Sequence, residues 1–214
     1  INLSHNLMVG TIPSQLSSLQ SLAGLALDNN IFTGAVASVF DSKAKGLRSL
    51  TQLYLENNLF TGQLSRNLMV FMTRLEVLDI SDNKFSGSIP SFLFNLPKLV
   101  VLDLHDNDFT DMPTAFPPND KLNFLALQKC KFESQEIPEI SNLRNLTHLD
   151  LSQNRFTGTI PSSIGDMKNM TYLFLAENDF VPGPIPEWLA ALTRLEELDL
   201  KSTQRTGNVP DFLG

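Results

Sequence analysis

The sequence predicts a parallel β-solenoid of about nine short coils, and three observations carry this prediction. Of the 214 residues, 36 are Leu and 18 are Asn, a bias that indicates internal repetition. Aligning the chain with itself gives nine units at spacings of 23 to 28 residues. Each unit contains an apolar–x–apolar core, the period-2 pattern of a short strand with one buried face.

The nine strand cores fall in one register along the chain. They are residues 1–3, 25–27, 53–55, 78–80, 102–104, 125–127, 149–151, 173–175 and 198–200. Because a unit of this length cannot enclose a core alone, adjacent coils must stack and bury their strands against one another.

A side-chain ladder is predicted three residues after each core. Seven of these positions are Asn, whose amide both donates and accepts and can therefore bond the backbone of two coils. Cys130 and Thr203 replace Asn with smaller groups that still donate. The ladder residues are Asn6, Asn30, Asn58, Asn83, Asn107, Cys130, Asn154, Asn178 and Thr203.

Phenylalanine recurs two residues beyond the ladder and predicts one internal stack of rings. Its members are Phe32, Phe60, Phe85, Phe109, Phe132, Phe156 and Phe180. Glycines that follow in six units are expected to have positive φ. Ile-Pro pairs end most turns, and the segments after them have room only for one or two turns of 3₁₀ helix.

The combined pattern, LxxLxxLxLxxNxFxGxIPxx, resembles the plant-type leucine-rich repeat. Residues 146–161, LTHLDLSQNRFTGTIP, match it almost throughout. The resemblance implies an α/β leucine-rich-repeat solenoid with a curved parallel β-sheet on its concave side and short 3₁₀ or irregular turns on its convex side. Residues 1–214 are expected to form a single solenoid of about nine repeats of ~24 residues, a fragment without the terminal caps common in the family.

Two departures from the pattern leave alternatives open. Residues 41–46 lengthen the second unit and are expected on the convex side, where insertions are tolerated. The fifth and sixth units lack the Gly and contain Phe116–Asp120. This irregular middle is either a bend, a ligand-facing feature or sequence drift.

Residues beside the strand leucines are expected to form columns across the concave face, about 4.8 Å apart. Exposed aromatic side chains there predict a binding patch, although aromatics also pack across strands without a ligand. The predicted ligand-binding residues are Tyr54, Val77, Asp79, Val101, Asp103, His105, Phe124, His148, Tyr172 and Phe174.

Carboxylates also line this face. Asp79 and Asp103 are expected to be exposed neighbours, and such pairs can perform acid–base chemistry or bind a cation. His105 beside them could ligate a metal or sense pH. Neither an activated nucleophile nor an enclosed pocket is indicated, so we expect no catalytic residue, metal or cofactor. An acidic strip favours a basic or polar partner through electrostatic steering.

Composition and short motifs narrow the setting. A net charge of −7 argues against nucleic-acid binding, no apolar run is long enough to span a bilayer, and the single Cys130 excludes an internal disulfide. Glycosylation acceptors occur at Asn2, Asn145 and Asn169. The last two occupy equivalent positions on adjacent coils, which favours a secreted setting with glycans shielding one flank.

For function, the chain looks like the ectodomain of a plant receptor-like kinase or receptor-like protein in signalling or defence. This resemblance implies a secreted or plasma-membrane protein that faces outward and binds a protein or peptide ligand, with a co-receptor as a further partner. The alternatives are a secreted polygalacturonase-inhibitor-like protein and a leucine-rich-repeat scaffold. An enzyme is the remaining, remote alternative.

Overall fold

A computed structural model describes residues 1–40, 47–64 and 71–213. Over these ranges the chain winds into stacked coils, as the repeat spacing predicts. The insertion at residues 41–46, which is predicted on the convex side, lies outside the described residues.

The strand cores form one parallel sheet along the concave face, with every strand bonded to the strand of the next coil. Its strands are Gly24–Ala26, Gln52–Tyr54, Val77–Asp79, Val101–Asp103, Phe124–Ala126, His148–Asp150, Tyr172–Phe174 and Glu197–Asp199. Asn2 extends the sheet through a single bridge to Ala26. The central residue of each strand points into the core, and the two flanking residues form the predicted concave columns.

A second set of parallel strands, which the sequence pattern does not predict, lies beyond the ladder. A five-stranded sheet contains Val9–Gly10, Ile31–Ala35, Leu59–Gln63, Lys84–Ser88 and Asp108–Asp111. Two strand pairs continue it, Glu133–Glu136 with Arg155–Thr157 and Gly183–Pro184 with Arg205–Thr206. These segments read as turns in the sequence because they carry Gly, Thr and Ser rather than alternating apolar residues.

The convex side consists of short helices, and the predicted 3₁₀ turns are confirmed. They span Ser14–Ser18, Leu47–Ser49, Ser91–Asn95, Ser162–Asp166, Glu187–Ala191 and Asp211–Leu213, with one α-helical turn at Ala37–Phe40. Pro precedes five of them, and at Pro13, Pro90, Pro161 and Pro186 φ lies between −78° and −61°. A ring that fixes φ and removes an N–H group suits this first position.

The phenylalanine stack is buried but interrupted. Rings of Phe32, Phe60, Phe85 and Phe109 stack with centroids 6.1 to 6.5 Å apart. Phe132 stacks separately on Phe156 at 5.4 Å. The predicted single stack of seven is therefore wrong for the described residues. The break falls between Phe109 and Phe132, and the pairing register of the second set of strands shifts on both of these coils.

The irregular middle of the chain contributes to the core. Phe116 is 1% exposed and packs edge-on against Phe94, with the ring centroids 4.6 Å apart. Asn119 is also buried and bonds the backbone of Phe94 and Leu122. A ligand-facing role for Phe116 is therefore wrong.

The ladder side chains bond adjacent coils together. In Asn107, Nδ2 donates to the carbonyls of Ile80, Leu104 and His105 at 3.0 to 3.1 Å. Its Oδ1 accepts from the Phe85 N–H at 2.9 Å. Two of these four partners lie on the preceding coil. The same threefold donation and single acceptance occur at Asn30, Asn58, Asn83, Asn154 and Asn178.

Three ladder positions bond less completely. Asn6 donates only to carbonyls of its own coil. The Cys130 Sγ lies 3.7 Å from the Leu104 carbonyl, and Thr203 Oγ1 donates within its own coil. Asn154 Oδ1 accepts from the N–H of Cys130, which is itself the ladder residue of the preceding coil. At Asn30, Asn58, Asn83, Asn107 and Asn178, Oδ1 instead accepts from the N–H of the residue two positions after the preceding ladder residue. At Cys130 the ladder therefore makes fewer side-chain hydrogen bonds, and its bonding register to the following coil is shifted.

Backbone conformation at the strand end is equally regular. The residue before each ladder position has φ between 49° and 56° in all nine coils. Asn or Asp occupies four of these positions, consistent with their tolerance of the left-handed region. The six glycines expected to have positive φ do so, between 71° and 97°. At Gly158 a Cβ would also meet Glu136 Cγ at 2.6 Å.

Candidate functional site

Four rings gather on three neighbouring concave strands, and we call them the aromatic cluster: Phe124, His148, Tyr172 and Phe174. The Phe124 and His148 rings stack with centroids 4.3 Å apart and planes 16° apart. His148 also contacts Tyr172 at 5.6 Å and meets Phe174 edge-on at 5.4 Å. All four side chains remain half-buried, so a continuous aromatic surface faces solvent on this part of the concave face.

His148 lies at the centre of the cluster and is favoured as the neutral imidazole. Burial among the rings lowers the pKa of His148 below its usual 6.5, because desolvation penalises the charged form. At one edge, the Tyr172 hydroxyl donates to Glu196 Oε2 at 3.0 Å, and this bond raises the pKa of Tyr172. The cluster therefore presents neutral rings beside a carboxylate.

Aspartates of the Leu-Asp-Leu cores cap the strand ends. Asp79 Oδ1 accepts from both the N–H and the hydroxyl of Ser81, at 3.0 and 2.6 Å. Asp103, Asp150 and Asp199 accept from the N–H two residues later in the same way. The expectation of freely exposed aspartates is wrong, because all four are half-buried and hold the turn.

The predicted neighbours Asp79 and Asp103 occupy paired positions on adjacent strands. His105 bridges two carboxylates there: its Nδ1 is 2.6 Å from Asp103 Oδ1 and its Nε2 is 3.1 Å from Asp82 Oδ2. The bond to Asp103 raises the pKa of His105 despite opposing desolvation. Within the residues that the structure describes, no cluster of three or more His, Cys, Asp or Glu suits a metal ion.

Glu56, which the sequence analysis overlooked, lies in the same concave column as His105. Its Oε2 is buried and lacks a hydrogen-bond partner within the described part of the chain. Burial raises the pKa of Glu56 from 4.5 to about 7, and the charges of Asp79, Asp28 and Asp103 add to the shift. The signal available in the sequence was the acid two residues before the ladder, in a column that also contains Asp28 and His105.

Replacing Glu56 with glutamine is expected to remove a pH-dependent loss of stability. The folded state retains this proton up to about pH 7, whereas the unfolded chain releases it near 4.5. Stability therefore falls as the pH rises through this interval. We expect Glu56→Gln to stabilise the protein by about 1 kcal/mol above neutral pH and to change little under acidic conditions. Urea unfolding across this pH range measures the effect, and parallel curves for both proteins would contradict it.

The remaining predicted residues lie along the same face but outside the aromatic cluster. Val101 pairs with Phe124 and with Val77, which extends the half-buried apolar column by two strands. Tyr54 pairs with Asp79 on the adjacent strand. Seven of the ten predicted residues thus form two neighbouring groups rather than one pocket: the aromatic cluster, and an acidic group of Asp79, Asp103 and His105.

Among the charged side chains in the concave columns and at the turn residue that follows each strand, carboxylates outnumber cations. The only cations among these described positions are Lys129 and Lys201, and each pairs with a carboxylate of a neighbouring coil, Asp106 and Glu177. The carboxylates are Asp28, Glu56, Asp79, Asp82, Asp103, Asp106, Asp150, Glu177, Glu197 and Asp199.

The three glycosylation acceptors lie in two different settings. Asn2 is exposed and stands in a concave column. Asn145 and Asn169 belong to turns at the flank before the strands, and Asn169 Nδ2 donates to Asn145 Oδ1 at 3.1 Å. Their equivalent placement on adjacent coils matches the spacing in the sequence.

Comparison with known families and proteins agrees with this geometry. Models described as leucine-rich repeats match residues 73–114 and 144–204. Receptor-like protein 39 of Arabidopsis thaliana is 36% identical over 157 residues, which cover 72% of this chain and 14% of that protein. Receptor-like protein 41 of the same plant is 34% identical over 74% of this chain and 15% of its own length. The chain thus spans about a seventh of these curated relatives.

Solved structures give the same fold. A TDR receptor superposes with a TM-score of 0.81 at 26% identity, over 99% of this chain and 40% of that one. A second solved structure is the Arabidopsis receptor kinase HAESA in complex with the peptide hormone IDA and the co-receptor SERK1. It gives a TM-score of 0.72 at 31% identity, over 100% of this chain and 39% of the HAESA chain. No described helix of the present chain has the length and apolarity to cross a membrane. The chain belongs to the leucine-rich-repeat family, and its curated relatives are plant receptor-like proteins.

Proposed function

We propose that this chain is a non-catalytic recognition module that binds a peptide across its concave face, with the aromatic cluster as the anchor. The observation that carries the proposal is the half-buried ring surface of Phe124, His148, Tyr172 and Phe174. Aromatic side chains in such surfaces dominate the binding energy of many protein interfaces. Cross-strand packing explains the ring contacts, but it does not require the rings to face solvent.

The charge of the face indicates the chemistry of the peptide. Carboxylates of Asp103, Asp150 and Glu196 stand around the cluster, and the whole chain has a net charge of −7. A peptide with an apolar or aromatic side chain next to Lys or Arg would complement both the aromatic cluster and the carboxylates around it. Its approach would be accelerated by electrostatic steering, and its association rate should therefore fall as salt concentration rises.

The relatives support a receptor setting for the parent protein. HAESA binds a peptide hormone together with a co-receptor, and the curated relatives are receptor-like proteins. By this analogy the chain is part of an extracellular ectodomain at the plasma membrane, and a co-receptor is a further expected partner. The absence of catalysis in this chain is part of the same proposal, because the curated relatives that it matches are receptor-like proteins.

Selection from a random peptide library tests the proposal. Peptides displayed on phage would be selected by capture on the wild-type chain. Calorimetry would then measure the affinity of each selected peptide for the wild type and for a double variant that combines Phe124→Ala with Tyr172→Ala. We expect the double variant to bind the selected peptides at least about tenfold more weakly, because it removes two anchors of the surface. Selected peptides should also be enriched in Lys or Arg.

Phe92→Ala provides the matched control, since Phe92 is a half-buried ring on the convex side. This variant should retain wild-type affinity, and circular dichroism should show that all variants fold. Undiminished affinity of the double variant, or an equal loss in Phe92→Ala, would remove the concave cluster from the binding account.

A further inference from the structure

A row of cations lies on the flank of the solenoid that precedes the concave strands, and we call it the basic ridge. It places one exposed Lys or Arg in the turn before the strand on each of six consecutive coils. The members are Arg74, Lys98, Lys121, Arg144, Lys168 and Arg194. They account for six of the 16 Lys and Arg residues of the chain.

Backbone and side-chain contacts hold these turns in register. Val100 N–H donates to the Glu76 carbonyl at 2.8 Å, and Asn123 N–H donates to the Val100 carbonyl at 2.9 Å, each two residues beyond a ridge cation. Further along, Arg194 Nη1 donates to Asn169 Oδ1 at 2.8 Å. Since adjacent coils are about 4.8 Å apart, the six cations form a row roughly 24 Å long.

The ridge cations are largely without carboxylate partners. Among the described residues, Lys121 is the only one within ion-pair distance of a carboxylate, at 3.7 Å from Asp120. Three cations elsewhere are paired more closely: Lys131 with Asp108 at 2.7 Å, Arg155 with Glu133 at 3.3 Å and Lys201 with Glu177 at 2.9 Å. The ridge therefore keeps a positive field on an otherwise acidic protein.

Other carboxylates close in sequence do not neutralise the row. Glu76 and Glu196 stand two residues beyond a ridge cation, toward the concave strands, and Glu196 already accepts from Tyr172. Asp166 precedes Lys168 on the convex helix. Lys168 itself donates to the Gly165 carbonyl and keeps its charge exposed.

The shape of the ridge selects among polyanions. A single file of cations, one on each of six coils, matches an extended polymer with one acidic group on each unit, laid along the axis of the solenoid. Arg and Lys bind carboxylates by charge-assisted hydrogen bonds, and release of counterions favours association with a polyanion. A duplex nucleic acid or a bilayer would need a broader basic surface, and the acidic concave face beside the ridge would repel it.

We propose that the basic ridge binds a linear acidic polysaccharide whose sugars each carry a carboxylate. Arg74, Lys98 and Lys121 form the half of the ridge without glycosylation acceptors. Asn145 and Asn169 share the turns of Arg144 and Lys168, so that glycans there would cover the other half. The site is separate from the aromatic cluster, and it does not depend on the peptide-binding proposal.

Binding to polygalacturonate tests this inference, using the chain produced without glycosylation. Arg74→Gln, Lys98→Gln and Lys121→Gln would be combined in one variant and compared with wild type by interferometry on the immobilised polymer. We expect a loss of affinity of about tenfold or more and a shallower dependence of affinity on salt concentration, because three contacts with the polyanion are removed.

The matched control combines Lys131→Gln, Arg155→Gln and Lys201→Gln, which changes the net charge equally but removes cations that already have partners. It should bind within about twofold of wild type. An equal loss in both variants, undiminished binding by the ridge variant, or tighter binding to phosphatidylserine vesicles or duplex DNA than to polygalacturonate would overturn the proposal.

Discussion

Replacing Asn107 with alanine is expected to lower the free energy of unfolding by about 3–4 kcal/mol. The Asn107 amide is 4% exposed and satisfies three carbonyls and one N–H group on two coils. Alanine leaves these groups without partners where water has little access, and each such group is costly. Chemical denaturation monitored by circular dichroism measures the loss.

Two further variants test whether the hydrogen bonds of the ladder between coils account for this loss. Asn107→Asp keeps the shape of the side chain but removes its donors, so we expect a loss at least as large at neutral pH. Asn6→Ala should cost less than about 1 kcal/mol, because Asn6 is exposed and bonds only its own coil. If Asn107→Ala and Asn6→Ala were equally mild, the ladder would not bind the coils together.

Truncating Phe156 to alanine is expected to destabilise the solenoid by about 3–5 kcal/mol. The Phe156 side chain is fully buried and stacks on Phe132 at 5.4 Å. Its backbone N–H is also fixed by Asn178 Oδ1 at 3.1 Å, which limits how far the coil can relax into the cavity. The cost therefore combines lost apolar burial with an unfilled cavity.

Phe212→Ala is the control for this truncation, since Phe212 is 37% exposed near the end of the described chain. It should change the free energy of unfolding by less than about 1 kcal/mol. A loss below 1 kcal/mol for Phe156→Ala as well would mean that the phenylalanine rings do not form the inner core of the solenoid.

The main architecture could be predicted because the repeat restricts the chain at every coil. Once Leu-x-Leu cores such as 102–104 recur at a fixed spacing, strand register and side-chain direction follow from the period of a β-strand. The ladder followed from chemistry, since Asn107 can donate and accept at once. Both deductions concern features that every coil shares.

Features confined to one coil, or dependent on side-chain conformation, could not be predicted. The local sequence does not show that Asp79 accepts hydrogen bonds from Ser81, because those bonds depend on the rotamer of Asp79. Glu56 acquires its raised pKa only from burial and from acids on neighbouring coils. The break in the phenylalanine stack between Phe109 and Phe132 likewise depends on how two irregular coils pack against each other and against their regular neighbours.

The candidate site could be predicted in part. Column spacing placed Phe124, His148 and Tyr172 on adjacent strands, and their register has this order. The sequence could not show that His148 stacks on Phe124 and meets Phe174 edge-on, since those contacts depend on ring orientation. The neutral, central role of His148 is therefore a finding of the structure.

Nuclear magnetic resonance of the histidine side chains tests the central claim most directly, because the chain contains only three histidines. His148 lies in the aromatic cluster, His105 in the acidic group, and His5 near the start of the chain. Adding a peptide selected on the wild-type chain should shift the ring resonances of His148 strongly and leave those of His5 unchanged. Saturating peptide that leaves the His148 resonances unmoved would contradict recognition through the aromatic cluster.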